Sequence, residues 1–138
     1  MTSLDIIRPA IVLALFTLAI LLLMAIRRVR SSQAKETTED DYRFGESDRV
    51  PPSVSVVNRN YMNLLELPVL FYTISLLILI LQKSDTVFVG LAWTYVALRI
   101  VHSTVHLTYN RVLHRLLIFA ASNVVLIVMW LRVLFMTW

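Results

Sequence analysis

Four apolar runs, each about as long as a membrane is thick, limit what this chain can fold into. They lie at roughly 9–26, 60–82, 86–108 and 112–137. A helix needs about 20 residues to cross about 30 Å of hydrocarbon, and within lipid a helix satisfies all its own backbone hydrogen bonds. The sequence therefore predicts an all-α integral membrane protein, a four-transmembrane-helix bundle.

This bundle is expected to be one domain that takes in the whole chain, 1–138. The predicted helices and the loop that separates the first two are as follows: helices at about 7–30, 57–82, 86–108 and 111–137, and a loop at about 31–55. Because Pro68 interrupts the second run and removes a backbone hydrogen bond, a kink is expected just beyond Glu66. Tryptophans Trp93, Trp130 and Trp138 are expected to face lipid or its interface.

Composition agrees with a membrane protein and excludes several classes of function. Apolar residues make up 58% of the chain, the mean hydropathy is +0.73, and there is no cysteine. A disulfide framework, a cysteine-ligated metal and a cysteine nucleophile are therefore excluded. The net charge of +4 reflects basic residues beside apolar runs. It indicates membrane topology, and we expect no nucleic-acid partner.

The first run is expected to be a retained anchor and not a cleaved signal peptide. Both Asp5 and Arg8 precede it, three arginines follow it, and no small-residue cleavage pattern is present. The basic residues of the first loop set the orientation: Arg27, Arg28, Arg30, Lys35, Arg43 and Arg49. The second loop has only Lys83, balanced by Asp85. By the positive-inside rule, the first and third loops are cytoplasmic and both termini face the opposite side.

The first loop is the one long polar segment, and it is expected to be a partly ordered flap or linker. It mixes acidic and basic residues and ends in Pro51-Pro52. Two interpretations stay open for its aromatic residues. Tyr42, Phe44 and Gly45 dock the loop over a site, or the loop is exposed and acidic and its two aromatics are incidental.

Polar residues inside the apolar runs fall on two helical stripes. At about 100° per residue, Arg59, Asn63 and Glu66 lie within about 60° of each other on the second helix. A similar arc of about 80° on the third helix holds five more polar residues, namely Tyr95, Arg99, His102, His106 and Tyr109. On the fourth helix Arg111 and Arg115 share a face with Ser122, whereas Asn123 points elsewhere.

Depth predicts which members of the stripes meet. At about 1.5 Å per residue, Glu66 and Arg99 lie at similar depths from the cytoplasmic surface, so we expect them to form an ion pair. The remaining polar residues are expected to line a funnel that opens to the cytoplasm: Arg59, Asn63, His102, His106 and Arg115. One interpretation is structural, with ion pairs and hydrogen bonds that hold the helices together. Because the arginines outnumber the glutamate, the other interpretation is a site for an anionic ligand.

At these residues the chain resembles the MAPEG family, the membrane-associated proteins in eicosanoid and glutathione metabolism. The segment Arg59 to Pro68 resembles the second-helix signature of the family, with Asn63 four residues after the arginine and Glu66 three later. In the third helix, Arg99, His102 and His106 follow the family spacing Arg-x-x-His-x-x-x-Tyr, with histidine in the last place. Arg115 stands where the family has the arginine that activates a thiol.

This resemblance implies a function. Family members form homotrimers that bind glutathione between subunits, and they include microsomal glutathione transferases and leukotriene and prostaglandin synthases. By position, the implied glutathione ligands are Arg59, Asn63, Glu66, Arg99, His102 and His106, and Arg115 would stabilise the thiolate. One of Arg27, Arg28 and Arg30 would add a contact to a carboxylate. The expected localisation is the bacterial inner membrane, with the site facing the cytoplasm.

The chain departs from the family pattern at two positions. His106 replaces a tyrosine that contacts glutathione in many members, and Leu116 follows Arg115 where some members have a hydroxyl. These departures argue against prostaglandin synthase activity. A metal site on His102 and His106 is geometrically possible, but the neighbouring arginines oppose a cation, so no metal is expected.

Two classes of function follow. The first is a glutathione-dependent membrane transferase or peroxidase that acts on a lipophilic electrophile or hydroperoxide reaching the site from the bilayer. The second is a non-catalytic trimeric scaffold or partner subunit, in which the same residues only hold helices together. A channel or transporter is disfavoured, because the spans are few and no pair of broken helices is evident.

Overall fold

Five helices build the chain in the computed structural model, which describes residues 3–137. After a short 3-10 turn at Ser3–Ile6, the helices are α1 (Ile7–Gln33), α2 (Pro52–Leu65), α3 (Pro68–Ile80), α4 (Thr86–Leu107) and α5 (Val112–Thr137). Together α2 and α3 make one span, so four stretches are long and apolar enough to cross a membrane. The predicted all-α, four-span membrane bundle is confirmed.

The second span is broken between α2 and α3, at the position where Pro68 predicts a kink. Pro68 is the first residue of α3, and Glu66, with φ −79° and ψ −94°, ends α2. Proline is well suited to a first helical position, because the amide hydrogen it lacks would have no partner there. The break leaves the Glu66 side chain exposed on the outside of the bundle.

The core lies where α4 packs against the other helices. The rings of Phe71 and Tyr95 stack with centroids 4.5 Å apart, and both side chains are fully buried. Leu13 from α1 and Met129 from α5 complete the packing from either side. Trp93 is 43% exposed and Trp130 is half-buried against the core, whereas Trp138 lies outside the described residues.

The bundle has two ends, which we name by their connections. The loop end carries the segment 34–51 between α1 and α2 and the turn 108–111 between α4 and α5. The far end carries the turn 81–85 between α3 and α4. There, Asp85 accepts a hydrogen bond from the Phe88 amide (2.9 Å) and binds Arg132 through both carboxylate oxygens.

The segment 34–51 is an ordered loop organised by Asp41. This carboxylate accepts hydrogen bonds from the Ser47 hydroxyl and the Thr38 amide, each at 2.7 Å, and these bonds lower the pKa of Asp41. The Arg28 guanidinium lies 4.8 Å from the centre of the Tyr42 ring and thereby fixes the loop to α1. Phe44 does not take part, because it is 93% exposed.

Candidate functional site

A cavity of about 400 Å³ opens at the loop end, between the loop and helices α2, α4 and α5. Its walls carry charged and polar side chains from the loop, three helices and the turn between α4 and α5: Arg59, His106, Asn110, Arg115, Glu46 and Asp48. Small-molecule sites are commonly concave spaces of about 300–1,000 Å³ with a few convergent polar groups. The dimensions and chemistry of this cavity therefore suit a small polar ligand.

The turn after α4 positions Arg115. Asn110 adopts a left-handed conformation (φ 48°), which asparagine tolerates better than most residues, and this reverses the chain into α5. Its side-chain oxygen then accepts a hydrogen bond of 2.6 Å from Nη1 of Arg115. The guanidinium is therefore anchored by a neutral amide and not by a carboxylate.

Histidine His106 forms the buried floor of the cavity. Its side chain is only 2% exposed, and its Nδ1 makes no hydrogen bond with any described residue. One turn earlier on α4, His102 is also buried, and the two imidazole centroids are 5.9 Å apart. An unbonded ring nitrogen at the floor can donate to or accept from a bound ligand.

A second cavity of about 230 Å³ lies on another side of Arg115. It is lined by Asn63 and His102 and by the apolar side chains of Leu116 and Phe119. Arg115 lines both cavities, so its guanidinium joins a polar space to one with an apolar wall.

The two arginines of the larger cavity have no ion-pair partner within the described part of the chain. Neither Arg59, which is exposed, nor Arg115, which is partly buried, forms an ion pair with another described residue. Of the two loop carboxylates, Glu46 is already bound to Arg28 at 3.3 Å. An anionic ligand would supply the missing partners of the two cavity arginines.

Arg99 lies behind the cavities and lines neither of them. Its fully buried guanidinium donates from Nε to the Tyr95 hydroxyl (3.1 Å) and from Nη2 to the Asn123 side-chain oxygen (3.0 Å). Its Cζ also lies 5.0 Å from the centre of the Phe119 ring. These contacts join α4 to α5 and make Arg99 part of the helix packing.

The predicted Glu66–Arg99 ion pair is wrong within the chain. The prediction extended the regular rotation of a helix through residue 66, but α2 ends at Leu65 and Glu66 turns outward. The partner of Arg99 is instead Asn123, whose side-chain oxygen takes the place that Glu66 was expected to fill.

The other predicted site residues separate into two groups. Arg59, His106 and Arg115 meet at the larger cavity, and Asn63 and His102 meet Arg115 at the smaller one. Glu66 lines neither cavity, and the same is true of the arginines that end α1. Of those, Arg27 donates to the Ser53 carbonyl (3.4 Å), Arg28 binds Glu46 and Arg30 is exposed.

Three charged or amide residues of the larger cavity, Asn110, Glu46 and Asp48, were not singled out by the sequence analysis. The sequence does contain a signal for Asn110, because an asparagine just beyond a helix is typical of a helix that ends in the left-handed conformation. The sequence contains no comparable signal for Glu46 and Asp48, because their position at the cavity depends on the way Asp41 folds the loop.

A third, apolar cleft of about 290 Å³ lies between α1 and the break in the second span. Its walls include Thr17, Tyr61, Leu65 and Tyr72. The Thr17 hydroxyl bonds to the Leu13 carbonyl of its own helix (2.9 Å), so it presents little polarity to the cleft.

Comparison with known proteins gives one match. The family model described as the MAPEG family matches residues 6–135, a range that takes in all four spans and both polar cavities. No curated protein and no solved structure gives a significant match to the chain.

Proposed function

Because this chain belongs to the MAPEG family, we propose that it is a glutathione-dependent membrane transferase or peroxidase. Its acceptor is a lipophilic electrophile or hydroperoxide. The proposal rests on the convergence of Arg59 and Arg115 on one cavity. No carboxylate of the described chain forms an ion pair with either arginine.

The charges of the cavity complement those of glutathione. This tripeptide carries two carboxylates and one ammonium at neutral pH. Arg59 and Arg115 supply two guanidinium groups, whose planar arrays of donors match carboxylates and thiolates as acceptors. His106 and Asn110 add neutral groups for the peptide portion, and Asn63 and His102 extend the contacts into the smaller cavity.

Arg115 is proposed to stabilise the thiolate of the ligand. A free thiol has a pKa of about 8.5, so at neutral pH only a few per cent is ionised unless a cation lies nearby. An arginine stays protonated at all physiological pH values. The sulfur that reacts belongs to the ligand, which is consistent with a chain that contains no cysteine.

The reaction that follows balances without any other cofactor. With an electrophile, the thiolate sulfur forms a bond to carbon and the leaving group departs with its electron pair. With a hydroperoxide, two glutathione molecules are oxidised to the disulfide while the peroxide is reduced to an alcohol and water. In either case Arg115 lowers the free energy of the ionised sulfur before it attacks.

The acceptor is proposed to enter through the smaller cavity. Its wall includes Val112 and Leu116, which are 71% and 58% exposed on the outer surface of α5. A lipophilic molecule in the bilayer meets this apolar surface directly and reaches Arg115 from it. The glutathione side, lined by the loop, is reached from water.

We further propose a homotrimer in a bacterial inner membrane, with the loop end in the cytoplasm. The basic residues of the first loop support this orientation by the positive-inside rule. The exposed Glu66 carboxylate in the second span supports assembly, because a charge in contact with lipid is costly and a neighbouring subunit would cover it.

Calorimetric titration of glutathione into the detergent-purified full chain tests the proposal. We expect saturable binding that weakens at least tenfold in Arg59→Gln, since a hydrogen bond to a charged group is worth about 1.5–3 kcal/mol. Arg30→Gln is the matched control, because Arg30 is equally exposed at the same end but lines neither cavity. Absence of binding at millimolar glutathione would contradict the proposal.

A non-catalytic trimeric scaffold or partner subunit is the alternative. The observation that favours it is the Tyr95–Arg99–Asn123 network, in which a residue of the family pattern joins α4 to α5. Under this alternative the wild-type chain would turn over no glutathione, and Arg115→Gln would lower the stability of the assembly or change nothing measurable.

A further inference from the structure

We propose that the tip of the loop, residues 43–45, binds the phospholipid surface of the bilayer that the bundle spans. Phe44 enters the interface between lipid and water, and Arg43 binds a lipid phosphate. The tip lines neither polar cavity, so this role does not depend on the ligand of either.

Phe44 is the large apolar side chain that the loop leaves exposed. Among residues 34–51, all of which the structure describes, Tyr42 is partly buried and Val50 is buried, whereas Phe44 is 93% exposed. Single exposed apolar residues are common on protein surfaces, so exposure alone identifies no partner. The depth of Phe44, its fixed backbone and its charged neighbour do.

Two contacts to Arg28 place the tip beside the last turns of α1. The Arg28 guanidinium lies 4.8 Å from the centre of the Tyr42 ring and 3.3 Å from a carboxylate oxygen of Glu46, and these two residues flank the tip. Arg28 lies five residues before the end of α1 at Gln33. At about 1.5 Å per residue, this is about 8 Å back along the helix. The loop therefore folds back along α1 and does not extend away from the membrane.

That level of α1 is the boundary between lipid and water. Val29 is still 55% exposed there, between Arg28 and Arg30. Arginines that follow a transmembrane run lie at the level of the headgroups, where their long side chains reach the interface. Because its neighbours in the loop are bound to Arg28, Phe44 lies at this same level.

The fold of the loop fixes the tip. On either side of it, Ser47 and Thr38 donate hydrogen bonds to the Asp41 carboxylate, each at 2.7 Å. Gly45 has φ 108°, a conformation that is strained for any residue with a side chain. The chain therefore turns sharply after Phe44, and a ring held by a fixed backbone loses little entropy when it binds.

Arg43 supplies a charge that complements a phospholipid. Its Cζ lies 5.4 Å from the centre of the Phe44 ring, its side chain is exposed, and it forms no ion pair with residues 3–137. Every phospholipid carries a phosphate, which a guanidinium binds well. The neighbouring carboxylate of Glu46 does not compete for Arg43, because it is bound to Arg28.

Lipid contact at the tip also affects the larger cavity. The loop wall of that cavity begins at Glu46, two residues after Phe44. A tip held in the lipid surface limits how far this wall moves away from the helices. Opening of the cavity then depends on the bilayer as well as on the chain.

Tryptophan fluorescence of the full chain in phospholipid vesicles tests the position of the tip. In Phe44→Trp, the emission in excess of the wild type reports on residue 44, because the native tryptophans are common to both chains. Lipid brominated near the glycerol end of its acyl chains should quench this excess about threefold, as expected for an aromatic ring in the interface. Asp40→Trp is the matched control, because Asp40 is exposed in the same loop. Its excess emission should be quenched by acrylamide in water and not by the lipid.

Limited proteolysis of the chain in nanodiscs tests whether lipid contact holds the loop. Trypsin cleavage after Arg49 should be about fivefold faster in Phe44→Ser than in the wild type, because losing a ring partly buried in lipid raises the population of the opened loop. Phe44→Leu keeps an apolar side chain and should keep most of the protection. Arg43→Gln should speed cleavage about twofold. Lys35→Gln, which removes another exposed cation of the loop, should leave the rate unchanged.

Three outcomes would overturn this role for the tip. If acrylamide quenches the emission of residue 44 as it does that of Asp40→Trp, the tip lies in water. If neither quencher reaches residue 44, a neighbouring subunit covers the ring. If Phe44→Ser and the wild type are cleaved after Arg49 at the same rate, lipid contact does not hold the loop. None of these results bears on glutathione binding, so the proposed function is tested separately.

Discussion

Each end of the bundle positions one arginine of α5, and the two ends do so in opposite ways. At the far end, Arg132 is bound through two nitrogens to Asp85 and lies 4.2 Å above the Phe88 ring. At the loop end, Arg115 is held by the neutral side chain of Asn110 and forms no ion pair with the described chain.

This difference separates structural charge from charge that awaits a ligand. Arg132 has its counter-ion, its hydrogen bonds and a ring beneath it, so it stabilises the turn between α3 and α4. Arg115 has a positioning partner but no counter-ion among residues 3–137. Arg99 is a third case, buried and structural, with neutral partners in Tyr95 and Asn123.

The largest effect is expected from removing the charge of Arg115. In Arg115→Gln, kcat/KM for glutathione and a lipophilic electrophile should fall about 10²- to 10³-fold, the loss typical of one group that stabilises a developing anion. Steady-state kinetics with the full chain in detergent measures this. Arg132→Met is the control. Below the unfolding temperature of this variant, its kcat/KM should stay within about threefold of the wild-type value. Equal losses of kcat/KM in the two variants would contradict the distinction between a ligand-binding Arg115 and a structural Arg132.

A smaller effect, on stability alone, is expected at Arg99. Asn123→Leu leaves Nη2 of the buried guanidinium without its partner, which should cost about 1–3 kcal/mol. Thermal unfolding followed by circular dichroism measures the change. Asn63→Leu is the matched control, because the Asn63 amide bonds only to the Arg59 carbonyl of its own helix. If both variants unfold at the same temperature, Arg99 is not the packing element described above.

At the far end, a double-mutant cycle on Asp85 and Arg132 should show a coupling of about 1–2 kcal/mol. This coupling energy lies between those typical of exposed and of buried ion pairs, since the Asp85 side chain is 38% exposed and that of Arg132 is 27% exposed. Asp85→Asn is suitable because asparagine is also a good helix cap, so the ion pair alone is removed. Arg132→Met keeps an apolar chain over Phe88. A coupling near zero would mean that Arg132 acts through packing only.

The smallest effect is a dependence of stability on pH. Hydrogen bonds from Arg132 hold the pKa of Asp85 below its usual value, and those from Ser47 and Thr38 do the same for Asp41. Because the folded pKa is the lower one, this stabilisation is fully present above the unfolded value of about 3.9 and is lost as the pH falls towards the folded pKa.

The contribution of Asp85 is the difference in melting temperature between the wild-type chain and Asp85→Asn. This difference should be level from about pH 7 to pH 5 and should shrink below about pH 4. A difference that grows as the pH falls below about 4 would contradict the assigned direction.

Much of the fold could be predicted from the sequence because membranes impose simple rules. Apolar runs of the right length must be helices, and Pro68 marks the break in the second span. The grouping of Arg59 with His106 and Arg115 also followed from helix periodicity and depth.

The rest depends on local geometry that periodicity does not contain. Once α2 ends at Leu65, a regular rotation no longer applies, and Glu66 cannot be placed by counting. The loop carboxylates Glu46 and Asp48 reach the cavity because the hydrogen bonds of Asp41 fold the loop. The loop residues follow no repeating pattern of polar and apolar positions from which this fold could be predicted.

The central claim is that Arg115 meets a thiolate, and the most direct measurement is the ionisation of bound glutathione. The ultraviolet absorbance of the thiolate is followed against pH at saturating ligand, for the wild-type chain and for Arg115→Gln. We predict that the thiol ionises well below its free pKa of about 8.5 on the wild-type chain and near that value on the variant. A bound thiol that ionises at its free pKa on both proteins would contradict the account.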